Sequence, residues 1–142
     1  MPAVHQMELH PWLQQAAFCD YHRAKGIHVT QYSPFGNQND LYNQGRTDLT
    51  PIQRMMDDPM LVEIGRKYGK TGAQVALAWG IAHGRSVLPK SKTPSRIEAN
   101  RQGDFELGPN DLVRIDALDR KLRFADPSTV FGSNLFADLD GK

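Results

Sequence analysis

One cysteine, Cys19, in 142 residues excludes an internal disulfide. Charge of one sign is also lacking, because 17 Lys and Arg stand against 16 Asp and Glu for a formal net charge of +1. That balance gives no basic excess for nucleic acid and no acidic tail, so no nucleic-acid partner is expected. No apolar run approaches the ~20 residues of a membrane-spanning helix, so no membrane partner is expected either. Residues 1–6, Met-Pro-Ala-Val-His-Gln, lack the charged and apolar regions of a signal peptide. With a single thiol placed in a helical pattern, where a reduced and partly buried Cys19 is expected, these absences point to a cytoplasmic protein. What is present, 39% hydrophobic and 23% charged residues, describes a soluble globular chain long enough for one domain over residues 1–142.

Strand and helix patterns alternate along it, with no internal repeat or low-complexity block. Residues 3–9 read as a strand closed by Pro11. Leu13, Ala16, Ala17, Tyr21 and Ala24 recur at helical spacing up to Gly26. Residues 27–32 form a second strand, stopped by Ser33-Pro34-Phe35-Gly36. Residues 37–50 are rich in Asn, Gln and Asp and read as a long surface excursion, the kind of loop that often covers a site. Asp58-Pro59 opens a helix with Leu61, Ile64 and Tyr68, ended by Gly69. Thr71 and Gln74 form a capping box for a helix with Val75, Ala78, Trp79 and Ala82, ended by Gly84. A short third strand over residues 86–88 follows. A helix then runs to about Asn100, and another starts at Pro109 with Leu112, Ile115 and Leu118 on its core face. From Phe124 onward no period is visible, and the tail is expected to be extended. This order implies an α/β fold of parallel strands joined by right-handed crossovers.

The third strand ends in Lys90 and Ser91 and leads into a helix start, with Thr93 as the expected cap, Pro94 in the first position and Arg96 in the first turn. Two cations beside unpaired backbone N–H groups suit an anion such as phosphate. An ordinary helix cap ringed by surface lysines would look similar. In parallel α/β folds the carboxyl ends of strands carry the binding site. Here Glu8 and His10, Gln31 to Ser33, and Lys90 with Ser91 all fall at such ends. Gln6, Glu8 and His10 also share one side of their strand, and in a sheet covered on both faces they would need polar partners. Either a ligand or a satisfied buried hydrogen-bond network answers that need.

Gln6-Met-Glu-Leu-His-Pro11, Thr30-Gln-Tyr-Ser-Pro-Phe-Gly36 and Leu88-Pro-Lys-Ser91 followed by Arg96-Ile-Glu-Ala-Asn100 resemble, in order and spacing, the carboxyl-terminal part of aldo-keto reductases. The resemblance covers nearly the whole chain. It is nearest to fungal members of the glycerol dehydrogenase and aldehyde reductase type, including the acidic ending from Asp138 to Lys142. It implies a partial (β/α)8 barrel, the last three βα units with strands six to eight, plus the C-terminal tail. It also implies NADP(H) as cofactor and, once the barrel is completed, a small-molecule carbonyl substrate.

The resemblance assigns roles residue by residue. Gln6 matches the glutamine that bonds the nicotinamide carboxamide, and Tyr32 the aromatic that stacks on the nicotinamide. Ser33 and Phe35 match the stretch over the pyrophosphate. Lys90, Ser91 and Arg96 match the residues that hold the adenosine 2′-phosphate, and Asn100 the adenine contact. One departure is visible: Ala99 stands where the family often has Glu, and Glu98 is displaced by one. No residue of the chain matches the family's catalytic Asp, Tyr, Lys and His, so the chain is expected to be an incomplete barrel, inactive alone. The other functional class is a non-catalytic nucleotide- or protein-binding module associating through open sheet edges. Trp12, the 37–50 excursion and the tail are candidates to line a substrate pocket in a completed barrel. His5, His10, His22 and His28 lack the short spacing of a zinc site, so no metal is expected.

Overall fold

A computed structural model of the chain describes residues 1–36 and 53–136. The 37–50 excursion and the ending from residue 138 lie outside the described residues. Three strands, β1 (Val4–Glu8), β2 (His28–Tyr32) and β3 (Ser86–Leu88), form one parallel sheet in the order β1-β2-β3. Val4 pairs with His28, Glu8 with Tyr32, and Tyr32 with Leu88. Helix α1 (Ala16–Ala24) joins β1 to β2. Helices α2 (Pro59–Tyr68) and α3 (Gly72–Ala82) lie between β2 and β3, preceded by a 3-10 turn over Met55–Asp57. After β3 come α4 (Pro94–Arg101), α5 (Pro109–Asp116) and a single turn, α6 (Ser128–Phe131). The α/β class with parallel strands is as the sequence indicates.

Several helix ends are set by the residues the sequence offers. The Asp58 carboxylate accepts from the Met60 backbone N–H, with Pro59 in the first position of α2. Thr71 and Gln74 make both bonds of the capping box at the start of α3. Three expectations are corrected. Helix α1 starts at Ala16, because Gln15 is left-handed at φ 45° and Leu13 instead exchanges backbone hydrogen bonds with His10. Thr93 occupies the cap position of α4, but its side chain accepts no helix N–H. The tail is not simply extended, since residues after Pro127 close the turn of α6 through bonds to the Pro127 carbonyl.

The two faces of the sheet differ. Residues 5, 7 and 9 of the first strand face α1, where Met7, Leu9, Cys19 and Val29 form a buried cluster. Helix α3 lies on the same side, and Gly80 permits the approach: a Cβ there would stand 2.6 Å from Gln31 Oε1 and 2.8 Å from Val87 Cγ1. The larger core lies outside the sheet, where α2, α3 and α5 meet around Leu61, Ile64, Val75, Trp79 and Ile115. The opposite face of the sheet carries Val4, Gln6, Thr30, Tyr32 and Leu88, and no helix covers it. Val4 is 51% exposed and Leu88 46%. Among the described residues, the helices lie on one side of the sheet only, as expected of strands from an incomplete barrel.

Candidate functional site

The residues after α5 return across the carboxyl end of β1. Arg120 and Leu122 donate their N–H groups to the Trp12 carbonyl. Phe124 and Ala125 donate theirs to the Glu8 carboxylate at 2.9 and 2.8 Å, and His10 Nε2 stands 3.0 Å from the same carboxylate. Burial pushes the Glu8 carboxyl up, but these donors outweigh it and the net shift is downward. Glu8 and His10 are thus members of a buried hydrogen-bond network, while Gln6 on the same stripe is exposed. Trp12 is also accounted for inside the fold. It is 1% exposed, its indole N–H donates to Asp58 at 3.2 Å, and the Arg120 guanidinium covers its ring. It is core rather than pocket lining.

Beyond this network, a cleft of about 460 Å³ opens at the carboxyl ends of β2 and β3. Phe35 reaches it from the turn after β2, Arg66 from α2, and Lys70 to Ala73 from the start of α3. Lys90 and Ser91 follow β3, and Arg96, Ala99 and Asn100 stand on α4. Five of the eight residues named from the sequence therefore line one cavity: Phe35, Lys90, Ser91, Arg96 and Asn100. Gln6 and Tyr32 lie instead on the open sheet face, on adjacent strands. Ser33 begins the turn leading from that face towards the cleft.

That turn is locally strained. Ser33 has φ 49°, a left-handed conformation that costs a non-glycine residue about 1 kcal/mol or more. Its carbonyl accepts from Gly36 N–H at 2.8 Å. Gly36, at φ 68°, has the Phe124 ring where a Cβ would be, 2.6 Å away. The returning tail therefore braces the turn that carries Phe35. Tyr32 is half-buried, and burial, followed by the nearby Glu8 charge, pushes its phenol up, so the ring stays neutral.

The cleft's electrostatics are one-sided. Its lining holds Arg54, Arg66, Lys70, Lys90 and Arg96 against one carboxylate, Asp57, which already pairs with Arg54 at 2.7 Å. Among the described residues, no hydrogen bond or ion pair engages the side chains of Arg66, Lys90 or Arg96. An anion can neutralise these cations without breaking a bond within the protein. The backbone contributes less than the sequence suggests. Thr93 N–H is taken by Ser91 Oγ at 3.1 Å, Arg96 and Ile97 N–H by the Thr93 carbonyl, and Pro94 has none.

Sequence reasoning found the cap made by Gln74 but missed its second bond. Gln74 Nε2 donates to the Ala99 carbonyl at 2.9 Å and ties α3 to α4. A polar side chain in the apolar run of α3 was the available signal. Likewise, Gln14 bonds the Pro11 and Ile115 carbonyls, and nothing in its spacing announced a partner 101 residues away. His5 and His22, 17 residues apart, meet at 2.7 Å between ring nitrogens, a pairing that spacing could not reveal. Among the described residues, no group of three or more metal-ligating side chains assembles. No helix there is long and apolar enough to cross a membrane.

The Aldo/keto reductase family model matches residues 1–120. An uncharacterized oxidoreductase of Schizosaccharomyces pombe is 39% identical over 141 residues, covering 98% of this chain and 41% of that protein. Aldo-keto reductase family 1 member A1-A of Danio rerio is 38% identical over 131 residues, 91% of this chain and 39% of the relative. The NAD(P)H-dependent D-xylose reductase of Candida tenuis is 41% identical over 128 residues, 89% and 39% of the two chains. This chain spans about two fifths of the length of these relatives. With the family model matched over most of its length and the parallel α/β architecture in place, the chain belongs to the aldo/keto reductase family.

Proposed function

We propose that residues 1–142 are the NADP(H)-binding part of a carbonyl-reducing (β/α)8 barrel, contributing strands six to eight and the tail. The cleft carries this reading: Lys90 and Arg96 line one cavity with Phe35 and Asn100 and have no partner among the described residues. Lys90 and Arg96 would hold the adenosine 2′-phosphate, with Ser91 beside them and Asn100 at the adenine. Phe35 and Ser33 would border the pyrophosphate. Tyr32 would present its ring, and Gln6 its amide, to the nicotinamide on the open sheet face, which then corresponds to the interior of the completed barrel. Bound NADPH would supply the hydride; the residues here bind and orient it. Since none of them matches the family's proton-transfer group, these 142 residues alone do not turn over a carbonyl substrate.

Cofactor titration tests the reading in a barrel completed in trans or by fusion. A charge-assisted contact contributes roughly 1.5–3 kcal/mol, tenfold or more in affinity. Arg96→Ala or Lys90→Met therefore weakens NADPH binding by about tenfold or more and leaves NADH binding nearly unchanged. Tyr32→Ala weakens both. Equal losses for the two cofactors at Arg96 overturn the 2′-phosphate assignment and return the cluster to an ordinary solvated helix cap.

The open sheet favours a second reading on one observation. β1 and β3 are both edge strands, and one face between them is bare. A non-catalytic module that binds nucleotide or protein and associates through these edges would present the same surface.

A further inference from the structure

A second cavity, of about 260 Å³, lies at the opposite end of the sheet, where α1 and α3 finish and β2 and β3 begin. Cys19, Arg23, Ile27, His83, Gly84 and Arg85 line it. Arg85 is only 8% exposed, and its Nε and Nη1 are buried with no hydrogen-bond partner. One side of the guanidinium lies over Trp79, 4.7 Å from the ring centre. A buried guanidinium with two orphaned donors is costly, since those N–H groups have given up water without gaining an acceptor.

Among the described residues, no acceptor reaches Arg85 Nε or Nη1. Gly84 and Arg85 N–H bond the Ile81 and Gly80 carbonyls at the end of α3; Gly26 and Ile27 do the same for Arg23 and His22 at the end of α1. The helix ends, which would otherwise repel an anion, are thereby partly discharged. Asp116 is engaged by Trp79 at 2.7 Å and His83 at 2.9 Å, and Asp20 pairs with Arg23 at 2.6 Å. The Cys19 thiol, pushed up by burial against the opposing effect of Arg85 beside it, is neutral and donates to the Gln14 carbonyl at 3.7 Å. Burial lowers the Arg85 value and outweighs the upward pull of Cys19, Asp116 and Asp20 nearby. No lining residue of this cavity is acidic.

We propose that this cavity binds a phosphate dianion, either free or as the head of a small monoester, paired with Arg85 and flanked by Arg23 and His83. The site is separate from the cofactor cleft and does not depend on the function proposed for that cleft. A guanidinium fork matches two oxygens of a tetrahedral oxyanion. A buried water could satisfy the two donors but would bring no negative charge into contact with them. The dianion does both.

The test follows the Arg85 Nε–H resonance of 15N-labelled full-length protein during titration with inorganic phosphate, methyl phosphate and acetate. Saturable movement with either phosphate, shared by the amides of residues 26–28 and 84–86 and retained when Lys90→Met and Arg96→Ala disable the cleft, supports the site. Methyl phosphate matching inorganic phosphate admits a monoester; inorganic phosphate alone restricts the site to the free ion. Arg85→Met should abolish the movement of the remaining amides and any rise in thermal midpoint that phosphate causes in the cleft-disabled protein. An Arg85 resonance unmoved by both phosphates, or one that acetate moves as tightly, overturns the proposal, and this reading needs only the unsubstituted residue at position 85.

Discussion

Gln74 caps one helix and clamps the next: its Oε1 accepts from Thr71 N–H at 2.9 Å, and its Nε2 donates to the Ala99 carbonyl at 2.9 Å. Ala99 and Asn100 are consecutive on the cleft wall, so this one amide sets the height of α4 against α3. Gln74→Glu keeps an acceptor for Thr71 and presents an oxygen to the Ala99 carbonyl. The half-buried Ala99 carbonyl keeps its bond from Gln102 N–H, so we expect a loss of about 0.5–1.5 kcal/mol in chemical unfolding of the full-length protein, the net contribution of one hydrogen bond. NADPH affinity should fall as well, measured by cofactor fluorescence. Unchanged affinity would show that α4 is held by other contacts.

The close approach of α3 to the sheet gives a second test. A methyl at position 80 would sit 2.6 Å from Gln31 Oε1 and 2.8 Å from Val87 Cγ1. Gln31 is fully buried, so it has little room to yield. Although alanine favours helix over glycine by about 1 kcal/mol, overpacking costs typically 1–3 kcal/mol. Gly80→Ala should therefore lower the urea midpoint. A rise would mean that the helix-propensity gain wins and α3 can shift.

Much of this architecture is legible in the chain because local rules govern it. Asp58-Pro59 and Thr71 with Gln74 each place a helix start through bonds spanning two or three residues. The basic wall of the cleft was legible for a different reason: Lys90, Ser91 and Arg96 are close in sequence as well as in space. What stayed hidden depends on long-range return of the chain. Glu8 and His10 could be read as ligands or as a satisfied network until Phe124 and Ala125, 116 and 117 residues from Glu8, supplied its donors. Trp12 resembled a pocket residue until Asp58 and Arg120 enclosed it.

The Glu8 network makes stability depend on pH with a defined sign. Its folded value lies below the ordinary carboxylate value, so the unfolded chain takes up a proton first as pH falls. The contribution is fully present above the unfolded value, about 4.3, and is lost as pH drops through the folded one. Glu8→Gln replaces a charged acceptor with an amide and should cost roughly 1.5–3 kcal/mol near neutral pH. Thermal melts of the two proteins should converge as the solution is acidified below that range. A gap that stays constant with pH would exclude the carboxylate charge as its source.

The bare face of the sheet bears on residues 1–142 as an isolated polypeptide. Val4 and Leu88 are exposed there, β1 and β3 present edges unpaired among the described residues, and His28 and Ser86 bond each other across the same surface at 2.8 Å. Net stability of a small domain is only about 5–15 kcal/mol, so an uncovered face with exposed Val4 and Leu88 and, among the described residues, two open edges weigh heavily against a closed monomer. We expect sedimentation velocity to show association that diminishes when charge is placed on the face, as in Val4→Lys with Leu88→Lys. We also expect no NADPH-dependent reduction of small aldehydes above background, because acid catalysis worth about 10²–10⁴-fold has no matching donor among these residues. A monodisperse monomer with a sharp cooperative melt would contradict the first expectation. Steady turnover surviving rigorous removal of host reductases would contradict the second, and would require a proton donor on the open face, where Tyr32 would be the first residue to replace.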